Sequence, residues 1–330
     1  MIVIAGGGTG GHTSPGLAVA ALLRARGIEC AWIGSRSGLE ARRAPEAGIP
    51  YHAIPTGKLR RAWAWQNVPD VGINTPAGVA TAWRLLRRLR PRVVFATGGF
   101  VALPVAVAAR QARVPLVVHE QTAVPGLANR IAARLATRVV VTFADSARLF
   151  GGADVALTGN PLRPELRRGE RQDAIARFQL DPMLPLVYVT GGAQGAHAIN
   201  RAVGEILSPL LANAQLIHQC GDNAATGDRA WLTERRAALP PALAARYTPI
   251  PWVGDELAGI YAAATLVVSR AQGCAILPQA SLTPALLLDR IQSLLADPAR
   301  LKEMGERART LAVPDAAERL VTILLETARR

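Results

Sequence analysis

The opening stretch, MIVIAGGGTGGHTSPGLAVAALL from Met1 to Leu23, leaves this chain few ways to fold. Met1, Ile2, Val3 and Ile4 read as a buried strand, and Gly6, Gly7, Gly8, Gly10 and Gly11 then allow a tight backbone turn. Ser14 fits an N-cap and Pro15 a first helical position. Leu17, Ala18, Ala21 and Leu22 supply an apolar stripe before Gly27 stops the helix. His12 stands in the loop. A strand, a glycine loop and a helix N-terminus present free N–H groups and the positive end of a helix dipole, which attract an anion.

Gly6, Gly8 and Gly11 also satisfy the GxGxxG spacing of dinucleotide enzymes. That chemistry needs an acidic ribose ligand after the second strand, but here Cys30-Ala31-Trp32-Ile33-Gly34 is followed by Ser35 and Arg36. NAD is disfavoured, and an NADP-linked oxidoreductase ranks last among the functional readings.

Strands near Ile28–Ile33, Val93–Ala96, Leu116–His119 and Val139–Thr142 alternate with amphipathic stretches, the pattern of a parallel sheet covered on both faces. The uncharged run from Val93 to Ala109 is broken by Gly98-Gly99 and Pro104 and falls short of the ~20 residues a spanning helix needs, so strand, loop and helix is expected. The opening theme then returns. Leu186–Thr190 is a strand, Gly191-Gly192-Ala193-Gln194-Gly195 a glycine loop, and Ile199–Leu207 starts a helix. Two such units imply an α/β chain of two Rossmann-like domains whose parallel sheets face a cleft, the GT-B plan of glycosyltransferases. The boundaries are set at 1–160 and 161–314, with a last helix in 315–330 returning to the first domain.

Thirty-eight Lys and Arg against 24 Asp and Glu give a formal charge of +14, nearly all of it arginine, which calls for an anionic partner. No nucleic-acid motif is present and aromatics are only 5%, so nucleic acid is not the expected one. Lys58-Leu59-Arg60-Arg61-Ala62-Trp63-Ala64-Trp65 and Ala82-Trp83-Arg84-Leu85-Leu86-Arg87-Arg88-Leu89-Arg90 interleave Trp and Leu with Arg. Trp63, Trp65, Trp83, Leu86, Arg87 and Arg90 are therefore candidates for contact with an anionic membrane surface, against the plainer reading of a solvated sheet-covering helix. Cys30, Cys220 and Cys274 have no metal-ligand spacing and fit core packing in a reducing compartment. With a strand beginning at once, no signal peptide is expected. No Asp-x-Asp metal site and no cofactor is implied.

Several motifs together resemble the MurG family of peptidoglycan glycosyltransferases. They are Gly7–His12 (GGTGGH) with Pro15-Gly16, Gly98-Gly99, His119-Glu120-Gln121, Gly159-Asn160-Pro161 with Arg163, Gly191-Gly192 with Gln194-Gly195, and Pro314-Asp315-Ala316, in the family's order. The resemblance implies an inverting, metal-independent transferase that moves GlcNAc from UDP-GlcNAc to lipid I, peripheral on the cytoplasmic face of the plasma membrane. It assigns Thr9, Gly10 and Gly11 to the donor sugar and acceptor diphosphate, and Gly98, Gly99, His119, Gln121 and Asn129 to the acceptor side. Thr122, Arg163, Ala193, Gln194, Gly195, Val253 and Arg270 fall to the donor and its diphosphate. Either His12 or Glu120 is the base: an imidazole titrates near working pH, while Glu120 could instead orient His12 or cap the next helix. A purely structural His12 is the rival reading. His197 and His218 match no role and are assigned to packing.

Three departures stand out. Thr122 replaces an Asn and Ala193 a Ser. More seriously, Arg270-Ala271-Gln272-Gly273 links two apolar runs too closely for a parallel crossover, so about 45 residues at ~30 per βαβ unit are missing there. Residues closed up in the numbering, which predict a Cα separation well above ~3.8 Å between Arg270 and Gly273, are preferred over a true deletion. A true deletion supports a second functional reading, a non-catalytic relative that keeps the acceptor side but cannot hold the nucleotide. Thr283 fits an N-cap and Pro284 a first helical position, so Pro284–Leu295 and Pro298–Leu311 read as amphipathic helices, and after Pro314 a final helix runs over Ala316–Ala328.

Overall fold

The computed structural model describes residues 1–57, 73–192, 194–269 and 275–329. Trp63, Trp65, Ala193 and Arg270 lie outside these residues, as does the Cα separation between Arg270 and Gly273. The sequence itself is continuous there, so the shortfall belongs to the chain and residues closed up in the numbering are not its cause. Two compact units form, one of Met1–Arg163 with Val313–Arg330, the other Pro164–Ala312.

The first unit holds a seven-stranded sheet: β1 (Ile2–Gly6), β2 (Cys30–Gly34), β3 (Tyr51–Ala53), β4 (Val93–Gly98), β5 (Leu116–Glu120), β6 (Arg138–Val141) and β7 (Val155–Leu157). Its order is β3-β2-β1-β4-β5-β6-β7 and every pairing is parallel. Side chains alternate across the sheet. Val3 and Ala5 point into a layer with Val94, Ala96 and helices Thr75–Leu89 and Ala102–Ala112. Ile2 and Ile4 point into the opposite layer, with Trp32, Phe95, helix α1 (Gly10–Ala25) and the last helix, Ala316–Thr327. The order reverses between β1 and β4, so the turns after those strands, Gly6–Gly8 and Gly98–Gly99, flank the crevice where ligands of such sheets bind.

Helix α1 starts five residues earlier than Ser14 and Pro15 predict. Thr9 occupies the N-cap position without a side-chain cap, and Pro15 lies inside the helix. The proline costs one backbone bond, to Gly11 O, in a helix whose other turns are intact. His12 is consequently a first-turn residue and not a loop residue. Helix Thr75–Leu89 turns Gly78, Ala82 and Leu86 inward and leaves Trp83, Arg84, Arg87 and Arg88 on its outer face, with the Arg87 guanidinium 5.6 Å from the Trp83 ring. Leu86, expected at a membrane interface, is a core residue at 1% exposure. Arg90 ends the helix in left-handed geometry (φ 47°), exposed.

The second unit has a four-stranded parallel sheet of β8 (Leu186–Thr190), β9 (Gln215–Gln219), β10 (Tyr247–Ile250) and β11 (Leu266–Ser269), in the order β10-β9-β8-β11. Val187 and Val189 pack under helices His197–Glu205 and Pro284–Leu295, while Leu186 and Tyr188 pack against Ala174 and Ile260 on the other face. Thr283 accepts from Leu286 N at 3.2 Å, the cap its place in the sequence predicts. Among the described residues no helix is long and apolar enough to cross a membrane.

Candidate active site

In the first unit the glycine turn after β1 ends at the first turn of α1. The first intrahelical bond runs from Thr13 N to Thr9 O, so the amides of Gly10, Gly11 and His12 have no partner within the helix. Thr9 and Gly11 are exposed, which leaves this edge open to a ligand. The turn after β4 closes on it from the side. A Cβ at Gly98 would come within 2.7 Å of His12 Nδ1, so only glycine lets the histidine ring lie against that strand end.

His12 Nδ1 lies 3.0 Å from Thr97 O, which can only accept, and against the Gln121 amide nitrogen, which can only donate; the Thr97 contact is met by the tautomer with the proton on Nδ1 and the lone pair on Nε2. Gln121 closes the same edge: its amide contacts Nδ1 and donates to Thr97 O at 3.3 Å. Burial lowers the His12 pKa, opposed by the Thr97 carbonyl and by the charges of Glu120 and Glu40. A neutral imidazole with Nε2 free is the form a general base needs.

Glu120 is differently placed. At 1% exposure its Oε1 accepts from Thr122 N (2.8 Å) and Thr122 Oγ1 (2.6 Å), and its Oε2 from Asn129 Nδ2 (2.9 Å). Three of its acceptor directions are taken by Thr122 in the loop after β5 and by Asn129 in the helix that follows, so it braces that segment. Asn129 is buried as well and also donates to His119 O at 3.1 Å. His119 has no exposed surface, and its Nε2 stands 3.5 Å from Thr142 Oγ1; burial pushes its pKa down to about 4. A ring so enclosed cannot touch a substrate. His119 and Asn129 therefore support the end of β5 from behind, and Thr122, exposed, has its hydroxyl committed to Glu120 and Val124 O. Arg163, the last residue before the second unit, is half-buried and has no ion-pair partner among the described residues.

In the second unit the turn Gly191–Ala196 leads from β8 into helix His197–Glu205. Asn200 N is bonded to Ala196 O, so the amides of His197, Ala198 and Ile199 are free of helix partners. Thr190 Oγ1 accepts from Gly192 N (3.2 Å) and donates to Gln219 Oε1 (2.9 Å), fixing the start of the turn. Gln194 is exposed and Gly195 half-buried, while Val253 is buried at 5% after Trp252.

Behind this turn lies a network that the sequence did not suggest. Buried Asp228 takes His197 Nδ1 at 2.7 Å, Asn200 Nδ2 at 2.9 Å and Arg201 Nε at 3.2 Å, and these bonds hold its pKa low against the cost of burial. His197 is more than half exposed on the first helical turn. His218 is enclosed, between Tyr247 Oη at 3.1 Å and Asn200 Oδ1 at 3.0 Å, with its pKa driven down to about 3 by burial, in keeping with a packing role. Glu40 was missed too. Completely buried, it accepts from Gly8 N, on the turn that carries the GxGxxG spacing. Neither Asp228 nor Glu40 stands in a local motif; both reach their site from a neighbouring helix.

Two α/β units, each with a parallel sheet in which a strand leads through a glycine-rich segment into a helix without a side-chain cap, are the architecture of the GT-B fold. The chain belongs to glycosyltransferase family 28: the family's N-terminal domain model matches residues 2–141 and its C-terminal domain model residues 186–272. The UDP-N-acetylglucosamine–N-acetylmuramyl-(pentapeptide) pyrophosphoryl-undecaprenol N-acetylglucosamine transferase of Halorhodospira halophila is 37% identical, over 99% of this chain and 98% of its own. The enzyme of the same name from Lachnoclostridium phytofermentans is 36% identical over 83% of this chain and 74% of its own. The crystal structure of Acinetobacter baumannii MurG matches with a TM-score of 0.70 at 24% identity, covering 98% of this chain and 99% of that one. The Halorhodospira alignment runs over 367 positions, whereas 99% of 330 residues is about 327, so about 40 positions have no counterpart here. The C-terminal family match stops at residue 272, between the two runs that Arg270–Gly273 joins.

Proposed function

We propose that this chain transfers GlcNAc from UDP-GlcNAc to lipid I, forming lipid II, at the cytoplasmic face of the plasma membrane. The observation that carries the reading is identity at 37% along 99% of the chain with a transferase of that name. The acceptor hydroxyl loses its proton to His12 Nε2 and attacks the anomeric carbon from the face opposite UDP. The C–O bond to the β-phosphate breaks and UDP leaves, so the configuration inverts. Unit 1 takes the acceptor diphosphate on the amides of Gly10, Gly11 and His12. Unit 2 takes the donor diphosphate on the turn Gly191–Gly195, with the Arg163 guanidinium as a bidentate ligand in place of a metal ion. The outer face of helix Thr75–Leu89, with Trp83, Arg84, Arg87 and Arg88, lies against anionic lipid.

Purified chain incubated with UDP-GlcNAc and a lipid I analogue is expected to release UDP and yield the disaccharide lipid without added Mg²⁺. The shortfall near residue 272 removes part of the donor pocket, so the donor KM is expected to be high. Binding of lipid I with no saturable UDP-GlcNAc binding and no transfer would sink the reading in favour of a donor-defective relative.

A further inference from the structure

We propose that Glu40 is a positioning residue for the acceptor-side turn, holding Gly8 so that the amides of Gly10 to His12 and the His12 ring present one binding edge. The proposal rests on the assignment of unit 1 to the acceptor. Glu40 begins the first turn of helix α2 (Leu39–Glu46) and is 0% exposed, with no cation paired to it among the described residues. Its Oε2 accepts from Gly8 N at 2.8 Å. Its Oε1 accepts from Ser35 N at 3.0 Å and Ser35 Oγ at 2.6 Å. Ser35 Oγ in turn accepts from Gly38 N at 2.9 Å, and Ser35 O accepts from Tyr51 Oη. One carboxylate thus ties together the turn after β1, the end of β2, the head of α2 and, through Ser35, strand β3.

The turn is built around this group. A side chain at Gly7 or at Gly38 would occupy the space of the Glu40 carboxylate. Burying a carboxylate without a counter-cation is costly, and an apolar residue could fill the same volume at less expense. The charge has a second consequence. The groups that face His12 are Glu120 and His119 on β5, Glu40 on α2, and the uncharged Thr97 carbonyl and Gln121 amide. Both carboxylates raise the imidazole's proton affinity, and burial lowers it. His119 is neutral at working pH.

The test compares wild type with Glu40→Gln, in which one of the two accepting oxygens becomes an NH₂ and the charge is lost. Three readouts are taken on the full chain: kcat and KM for each substrate, the pH profile of kcat/KM, and the His12 titration by NMR. Expected are a fall of about tenfold or more in kcat/KM for the lipid I analogue, a donor KM within about twofold, and an acid limb displaced to lower pH. Ser35→Ala, which removes one donor and keeps the charge, is expected to lower acceptor kcat/KM about threefold with the acid limb in place, and it carries the test should Glu40→Gln not fold. Equal losses for both substrates with an unmoved acid limb, or acceptor kinetics unchanged in both variants, overturn the proposal. The NMR titration needs no activity, and with five histidines in the chain the resonances are few. A His12 pKa that does not drop in Glu40→Gln therefore overturns the proposal even if the wild type proves unable to transfer sugar, which would be a failure of the functional reading alone.

Discussion

At the scale of single residues, His12 and Glu120 differ in how their polar atoms are spent. Among the described residues no hydrogen-bond partner meets His12 Nε2, so His12→Ala is expected to lower kcat by about 10²- to 10⁴-fold while leaving UDP-GlcNAc binding in place. A kcat within a few-fold of wild type would reduce His12 to a structural residue. Glu120→Gln should hurt less and mainly raise the acceptor KM, since the amide can still take one of the Thr122 and Asn129 bonds. The buried histidines set a pH dependence of stability. His119 and His218 are held neutral, with folded pKa values of about 4 and about 3 against 6.5 for a free imidazole. The unfolded chain therefore binds more protons below pH 6.5, and stability present above that pH is lost as pH falls toward 4 and then 3. Urea midpoints at pH 7.5 and pH 5 should differ in that direction, and equal midpoints would contradict it.

Among the elements, helix α1 illustrates how closely strand, turn and helix are fitted. A Cβ at Gly16 would run into the Trp32 indole, which cannot swing aside because its Nε1 donates to Gly6 O at 3.0 Å. Gly16→Ala is expected to cost about 1–3 kcal/mol, read as a lowered denaturant midpoint. At helix Pro298–Thr310 the Asp297 carboxylate accepts from Arg300 N at 2.9 Å, and Asp297→Ala should cost about 1 kcal/mol. Helix Thr75–Leu89 splits into a buried row at Gly78, Ala82 and Leu86 and an outer row of Trp83 and arginines. Its sequence alone did not separate Leu86 from Trp83, because both fit a basic amphipathic stripe. The neighbour that takes Leu86 into the core is helix Ala102–Ala112, remote in sequence. Trp83→Ala is expected to weaken association with anionic vesicles with no loss of stability, whereas Leu86→Ala should destabilise the unit by about 2–5 kcal/mol.

Over the whole molecule, a charge of +14 makes association with phosphatidylglycerol vesicles strongly dependent on salt. It should be measurable at low ionic strength and largely abolished at about 1 M salt, where the Debye length is about 3 Å; binding indifferent to salt would refute an electrostatic attachment. The sequence by itself determined the two βα series, the parallel sheets and the places of both glycine turns, because strand and helix periodicity and backbone freedom are local properties of the chain. It determined as well the cap at Thr283. It erred at the start of α1, where free amides and a tolerated internal proline outweighed the Ser-Pro signal. Only the tertiary structure decided that Glu120 is spent on Thr122 and Asn129, that His119 is sealed from solvent, that Glu40 braces the first glycine turn and that Asp228 braces the helix after the second. The bonds from Gly8 to Glu40 and between His197 and Asp228 join residues 32 and 31 positions apart and leave no periodic or spacing signal, so the role of these carboxylates becomes visible only once their donors are brought to them.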